Sequence, residues 1–355
     1  MGTPGRGRLG LVGAWVLVPW ILCVGGTIAR ASGSPRAPLA PRVVTPDAAL
    51  SWEEEVRLGT ELQFRDVAFL DGQRGWVVGA RGRIFRTTDG GRTWVRQAVR
   101  APDLFRIAFV TEREGWVIGE AGFVLHTTTA GASWVRRPRL ARVELLGIRF
   151  VTPEVGWIVG DRGLIFKTQD GGRTWRRQRS GVRGALSDIA CFSAQECVVV
   201  GWAGTVLTTV DGGAAWRKRT PPEGSYRHSG MSRVVIDGTG ALWSAVSWHN
   251  GGFLLRSTDR GERWTVVRES GPVNALHFWN GKGAIFAGAI FVTTDGGATW
   301  SEGQTPWPAM PLLLSVVFID DHRGWAVGDF RTILHTADGG RTWVVQHEEF
   351  PPPVR

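Results

Sequence analysis

Tyrosine, cysteine and methionine are scarce in this 355-residue chain, at one, three and three residues. A hydrolase with a tyrosine nucleophile would have to use Tyr226, with Glu223 beside it. Retaining sialidases use such a pair, a further acid and three arginines on the substrate carboxylate. The cysteines are too few, with no histidine near the last two, to hold a structural zinc ion. In excess are 49 glycines and 19 tryptophans. Glycine at this frequency marks tight turns in place of long helices, and repeated small β units account for both excesses.

The amino end reads separately. Arg6 and Arg8 precede an uncharged apolar run from Leu9 to Ile28, and Ala29-Arg30-Ala31 follows as a small-x-small site. Residues 1–31 are therefore expected to be a signal peptide cleaved after Ala31, with an uncleaved membrane anchor as the competitor, since the run can span a bilayer. Bulky Leu22 before Cys23 argues against lipidation there. Residues 32–49, rich in Pro, Ala and Ser, read as a flexible leader. The expected location is periplasmic or otherwise extracytoplasmic. Loss of Arg6, Arg8 and Arg30 leaves +7 of the formal +10 charge. A basic surface suits nucleic acid, anionic lipid or an acidic peptide, and export disfavours nucleic acid.

One motif recurs seven times, first as Thr87-Thr88-Asp89-Gly90-Gly91-Arg92-Thr93-Trp94. Its closing tryptophans are Trp94, Trp134, Trp175, Trp216, Trp264, Trp300 and Trp343, spaced by 40, 41, 41, 48, 36 and 43 residues. Before each box come a short apolar strand, a polar turn, a second strand such as Gly75 to Gly79, a glycine turn and a third strand. Four short strands per repeat predict an all-β, seven-bladed propeller of four-stranded antiparallel blades over residues 50–347, with a tail at 348–355.

The box reads as a structural device. Its aspartates are Asp89, Asp170, Asp211, Asp259, Asp295 and Asp338, and each can lock its turn by accepting backbone N–H groups. Thr129 replaces Asp in the second copy, which a structural role tolerates better than metal binding or acid catalysis. No metal or cofactor is expected. The segment 51–56, with Trp52, resembles a fourth strand without its box and is expected beside the last blade. Cys191 and Cys197 fall on the first two strands of the fourth blade, where an oxidising compartment favours a disulfide over two buried thiols.

Strand order divides the loops between two faces, with the boxes on one and the two–three turns and interblade links on the other. The second face gathers arginines: Arg81, Arg162 and Arg331 in two–three turns, expected around the central opening, and Arg137 and Arg177 among the links. Acids such as Asp71, Glu112, Glu154 and Asp320 are assigned to the box side. Trp202, Trp248, Trp307 and Tyr226 are the spare aromatics on the arginine side, where blades five and six have altered loop lengths. Edge-strand arginines also discourage sheet-to-sheet pairing. Arg forks grip carboxylates, so the expected partner is an acidic peptide or membrane-protein tail.

The run Gly156 to Trp175 carries G-W-x-V-G-x-x-G-x-I-x-x-T-x-D-G-G-x-T-W, and Gly324 to Trp343 is similar, with Arg331 where the turn glycine belongs. This run resembles the photosystem II stability and assembly factor family of exported Asp-box propellers. The resemblance implies a non-enzymatic lumenal factor whose arginine-lined face engages the tail of a reaction-centre precursor. It also matches Arg81 and Arg162 to the family's turn arginine. The rivals are a glycoside-cleaving propeller using Asp161, Asp329 or Glu120, and a glycan-binding one stacking sugars on Trp202, Trp248 and Trp307.

Overall fold

Apolar runs of four to seven residues, each closed by glycine or polar turns, leave no room for a long helix. The computed structural model describes residues 63–219, 229–248, 251–307 and 310–347, and strands and tight turns dominate them. The strands pair in chain order into seven four-stranded antiparallel sheets. Blade 1 comprises Phe64–Phe69, Gly75–Gly79, Ile84–Thr87 and Val95–Arg96. Blade 7 comprises Leu313–Phe318, Gly324–Gly328, Ile333–Thr336 and Val344–His347. First strands of consecutive blades touch, and that of blade 7 touches that of blade 1, so the seven ring a central opening. This is the seven-bladed propeller that the repeats predict. The segment 51–56 with Trp52, the amino-terminal 62 residues, Tyr226 and the tail from 348 lie outside the described residues.

The core is made between blades. Trp76, Trp116, Trp157, Trp243 and Trp325 on second strands are almost fully buried, each in a cluster shared with a neighbouring blade. Aromatic side chains of this kind bury roughly 150–250 Å² each, and apolar burial stabilises by about 25 cal/mol per Å². Box tryptophans join these clusters from the following blade: Trp134 packs with Trp76, and Trp175 with Trp116.

The box explains its own residue types. Thr87 Oγ1 donates to Asp89 Oδ1 at 2.8 Å and accepts the N–H of Gly91 at 2.8 Å. Asp89 accepts the Thr93 N–H at 2.9 Å and its hydroxyl at 2.6 Å. Asp170, Asp295 and Asp338 repeat the pattern, whereas Asp211 accepts the Ala215 N–H and Asp259 the Arg263 N–H. In the second copy Thr129 Oγ1 accepts the Ser133 N–H at 3.0 Å, so one hydroxyl performs the locking step. The second box glycine has positive φ and lies against the preceding blade. A Cβ on Gly172 would stand 2.4 Å from the Trp116 ring.

In blade 4, Cys191 and Cys197 are cross-strand partners with Cα atoms 4.0 Å apart, joined as a disulfide. In blade 5 the extra sequence lengthens strands to seven residues, Leu242–Trp248 and Gly251–Ser257, in place of enlarging the turn.

Candidate functional site: the link face and the channel mouth

Backbone hydrogen bonds assign the loops to faces. The first box glycine donates to the one–two turn of its own blade, as Gly90 to Gln73 O, Gly171 to Glu154 O and Gly339 to His322 O. On the other face the two–three turn donates to the incoming link: Ala80 to Gln63 O, Glu120 to Asp103 O, Asp161 to Glu144 O and Asp329 to Leu312 O. Box turns therefore share one face, and two–three turns and links share the opposite face.

The two–three turn imposes a left-handed residue at its centre. Arg81 (φ 56°), Ala121 (φ 52°), Arg162 (φ 58°), Ala203 (φ 54°) and Phe330 (φ 53°) all occupy it. For a non-glycine residue this conformation costs roughly 1–2 kcal/mol. Alanine meets the demand at two of the five places, so the arginines are not required by the turn. Both Arg81 and Arg162 are exposed.

Arg331 departs from the expected trio. It takes the glycine position, with φ 56°, and is 7% exposed, while Phe330 stands 41% exposed where Arg81 and Arg162 stand in their turns. The cause is the link that leaves each blade for the next. A Cβ on Gly82, Gly122 or Gly163 would come within 2.2, 1.9 or 2.1 Å of a carbonyl of that link. Among the described residues no link leaves blade 7, and a side chain fits.

The link face also carries carboxylates, contrary to the expected segregation of acids to the box side. Arg65 Nη2 pairs with Asp103 Oδ2 at 3.1 Å, and Asp103 Oδ1 accepts the N–H of Arg81 at 2.9 Å. Burial, then the charges of Asp161 and Glu120, hold Glu144 above the usual carboxylate range. Burial likewise raises Asp161, and it pushes Asp329 up to about 6. Counting acids by turn overlooked the links, which contribute Asp103 and Glu144.

The remaining candidates do not converge. Arg177 lies within the exposed outer strand Arg176–Arg179 and Arg137 just past the outer strand Val135–Arg136, on the flank of the propeller. Trp202 begins the blade 4 two–three turn and is half-buried. Trp248 ends a blade 5 strand, 38% exposed and edge-on to Phe253 at 4.7 Å. Trp307 packs against the core of blades 6 and 7 while lining a groove of about 670 Å³ with Gly288, Glu302, Gln304 and Met310.

Sequence reasoning missed a ring of polar residues on the first strands. Asp66, Arg106, Asp188, Arg233 and Ser315 each come just after a register shift at one equivalent position. Aligning Phe64-Arg65-Asp66-Val67 with Leu104-Phe105-Arg106-Ile107 and Leu186-Ser187-Asp188-Ile189 exposes the position in an otherwise apolar strand. Arg233 Nη2 crosses to Asp66 Oδ1 and to Leu314 O, 3.3 Å from each.

Comparison with known proteins places the chain. The family described as photosynthesis system II assembly factor YCF48 matches residues 45–143 and 179–306. The photosystem II assembly lipoprotein Ycf48 of Synechocystis sp. is 44% identical over 55 residues, and that of Picosynechococcus sp. is 41% identical over 51. These alignments span only 15% and 14% of this chain, and 16% and 15% of the relatives. Among solved structures, a YCF48 bound to D1 peptide superposes with a TM-score of 0.61 at 24% identity, covering 79% of this chain and 94% of that one. YCF48 from Cyanidioschyzon merolae gives 0.59 at 20% identity, covering 79% and 96%. The GH74 enzyme of Niastella koreensis gives 0.62 at 13% identity, covering 79% and 53%. These structural likenesses establish the propeller fold, and the family match over most of the chain carries the assignment: the protein belongs to the photosynthesis system II assembly factor YCF48 family.

Proposed function

We propose that this chain is an exported, non-enzymatic assembly factor that binds an acidic segment, such as a membrane-protein tail, on its link face. The observation that carries the reading is the exposed arginine at the left-handed position of blades 1 and 3, where alanine serves the turn equally well in blades 2 and 4. Each guanidinium offers a planar fork to a carboxylate. Family membership supports a protein partner, and a solved YCF48 with a D1 peptide bound supports a peptide one. The relatives named as lipoproteins support an extracytoplasmic, membrane-associated location. No helix among the described residues is long and apolar enough to cross a membrane.

The test compares two double variants for binding of the D1 peptide by surface plasmon resonance. Arg81→Ala with Arg162→Ala should weaken binding at least tenfold, since a hydrogen bond to a charged group contributes about 1.5–3 kcal/mol. Arg92→Ala with Arg173→Ala, exposed on the box face, should change it little. Equal losses in the two would mean that net charge alone matters.

One observation favours a second reading, hydrolysis by two carboxylates. Burial brings Asp329 to about 6 and raises Asp161 on the same face, and a raised carboxyl is what a general acid needs. Release of reducing ends from soluble polysaccharides, lost in Asp329→Asn, would establish that reading and displace the first.

A further inference from the structure

At blade 7 the link face changes character. Phe330, 41% exposed, holds the left-handed turn position that Arg81 and Arg162 hold in blades 1 and 3 and that Ala121 and Ala203 hold in blades 2 and 4. Alanine meets the backbone demand of this turn, so the fold does not call for a ring there. A bulky side chain in this region is an outlier, and residues held in such backbone cluster where proteins grip ligands.

The link beneath the turn changes in step. The carbonyl that accepts the turn's N–H belongs to Asp103 in blade 2 and Glu144 in blade 3, but to Leu312 in blade 7. Leu312 is half-buried and packs against the core of blades 6 and 7. The charged neighbours of Phe330 are drawn inward, Arg331 being buried and Asp329 half-buried. Blades 2 and 3 thus present charge from both turn and link, whereas blade 7 presents an aromatic ring from its turn and an aliphatic residue in its link.

Phe330 also neighbours Arg81 across the seam that closes the ring. Its turn, Asp329–Arg331, touches the first strand of blade 1, Phe64–Phe69. The carbonyl of Gln63, the residue before that strand, accepts the N–H of Ala80, next to Arg81, at 2.9 Å. An exposed ring and an exposed guanidinium therefore occupy equivalent positions on adjacent turns of one face.

We propose that Phe330 and Leu312 form the subsite for an apolar side chain flanking the carboxylate held at Arg81, a subsite that rests on the peptide reading above. The arginines attract any acidic chain. The apolar subsite selects among acidic segments those with an aliphatic or aromatic residue beside the acid, because burying such a side chain against the ring removes apolar surface from water.

The experiment measures binding of the D1 peptide to the full chain by surface plasmon resonance at low and high salt. Phe330→Ala should weaken binding about tenfold at both, and Phe330→Leu should restore most of the loss. The loss in Arg81→Ala with Arg162→Ala should shrink as salt screens the charges. Replacing the apolar residues of the D1 peptide by serine, one at a time, should find a position at which Phe330→Ala costs nothing further. Phe330→Ala should melt no lower than wild type, since alanine occupies this position in blades 2 and 4. Unchanged binding by Phe330→Ala, with the arginine pair still required, overturns the subsite and leaves the peptide reading standing. A lowered melting temperature in Phe330→Ala, or a loss that no peptide position shares, makes Phe330 a packing residue and equally overturns it. Wild type that fails to bind the D1 peptide, or an arginine pair that proves dispensable, overturns the peptide reading and the subsite with it.

Discussion

The side-chain amide of Gln346, in the last strand, donates to the carbonyl of Gly90 in the first Asp-box at 3.0 Å, while its Oε1 accepts the Trp325 indole N–H at 3.0 Å. Gln178 also reaches across blades 3 and 4, donating to Gly212 O at 3.0 Å, but it accepts from the next blade's box tryptophan, Trp216, at 3.1 Å, whereas Trp325 belongs to the same blade as Gln346. Gln97 does so between blades 1 and 2, with Gly131 O and Trp134. Segments 256 residues apart are thus joined by the glutamine-to-box-glycine hydrogen bond that also joins sequential blades.

Gln346→Ala should therefore destabilise the propeller about as much as Gln178→Ala. Each leaves an indole N–H without its acceptor, at a cost of about 1–3 kcal/mol. Urea denaturation checks this. A Gln346→Ala chain as stable as wild type would mean that apolar packing alone closes the ring.

The boxes make the fold acid-sensitive. Hydrogen bonds from Thr93, Thr174 and Thr299 are the largest causes that lower Asp89, Asp170 and Asp295 to about 2, and Thr342 does this for Asp338 against its burial. These values lie below the unfolded value, so the unfolded chain binds protons first as pH falls. The contribution is complete above about pH 4 and is lost as pH drops towards 2. Asp170→Asn should flatten the fall in urea midpoint over that window, and an unchanged slope would refute the assignment.

Asp329 should behave oppositely. Burial raises it to about 6, so the folded state holds the proton longer and stability declines as pH rises from about 4 to 6. Asp329→Asn should remove this decline and melt higher than wild type at pH 7. Equal melting of the two proteins at pH 7 would count against a carboxyl raised by burial.

The Cys191–Cys197 bridge closes a short loop in blade 4, for which chain entropy predicts roughly 2–3 kcal/mol. Reduction should lower the melting temperature of wild type and leave Cys191→Ala with Cys197→Ala unaffected. Intact mass with and without reduction gives the redox state directly, and two free thiols in protein from its native compartment would sink the prediction.

Periodicity alone determined the architecture. Seven boxes at near-constant spacing, each preceded by alternating short strands and glycine turns, admit a single solution in which each blade buries its neighbour's tryptophans. The box chemistry was equally legible, because its hydrogen bonds run between residues two and four apart, and the separation of loops into two faces came from strand order. Tertiary structure decided the rest. Whether a side chain fits where Arg331 stands depends on the link to a further blade that packs against this turn in the other blades, not on its own repeat. The acids of the link face belong to links that no motif marks. The channel cluster joins Asp66, Arg106, Asp188 and Arg233 from four blades, and only closure of the ring brings such distant charges to one axis.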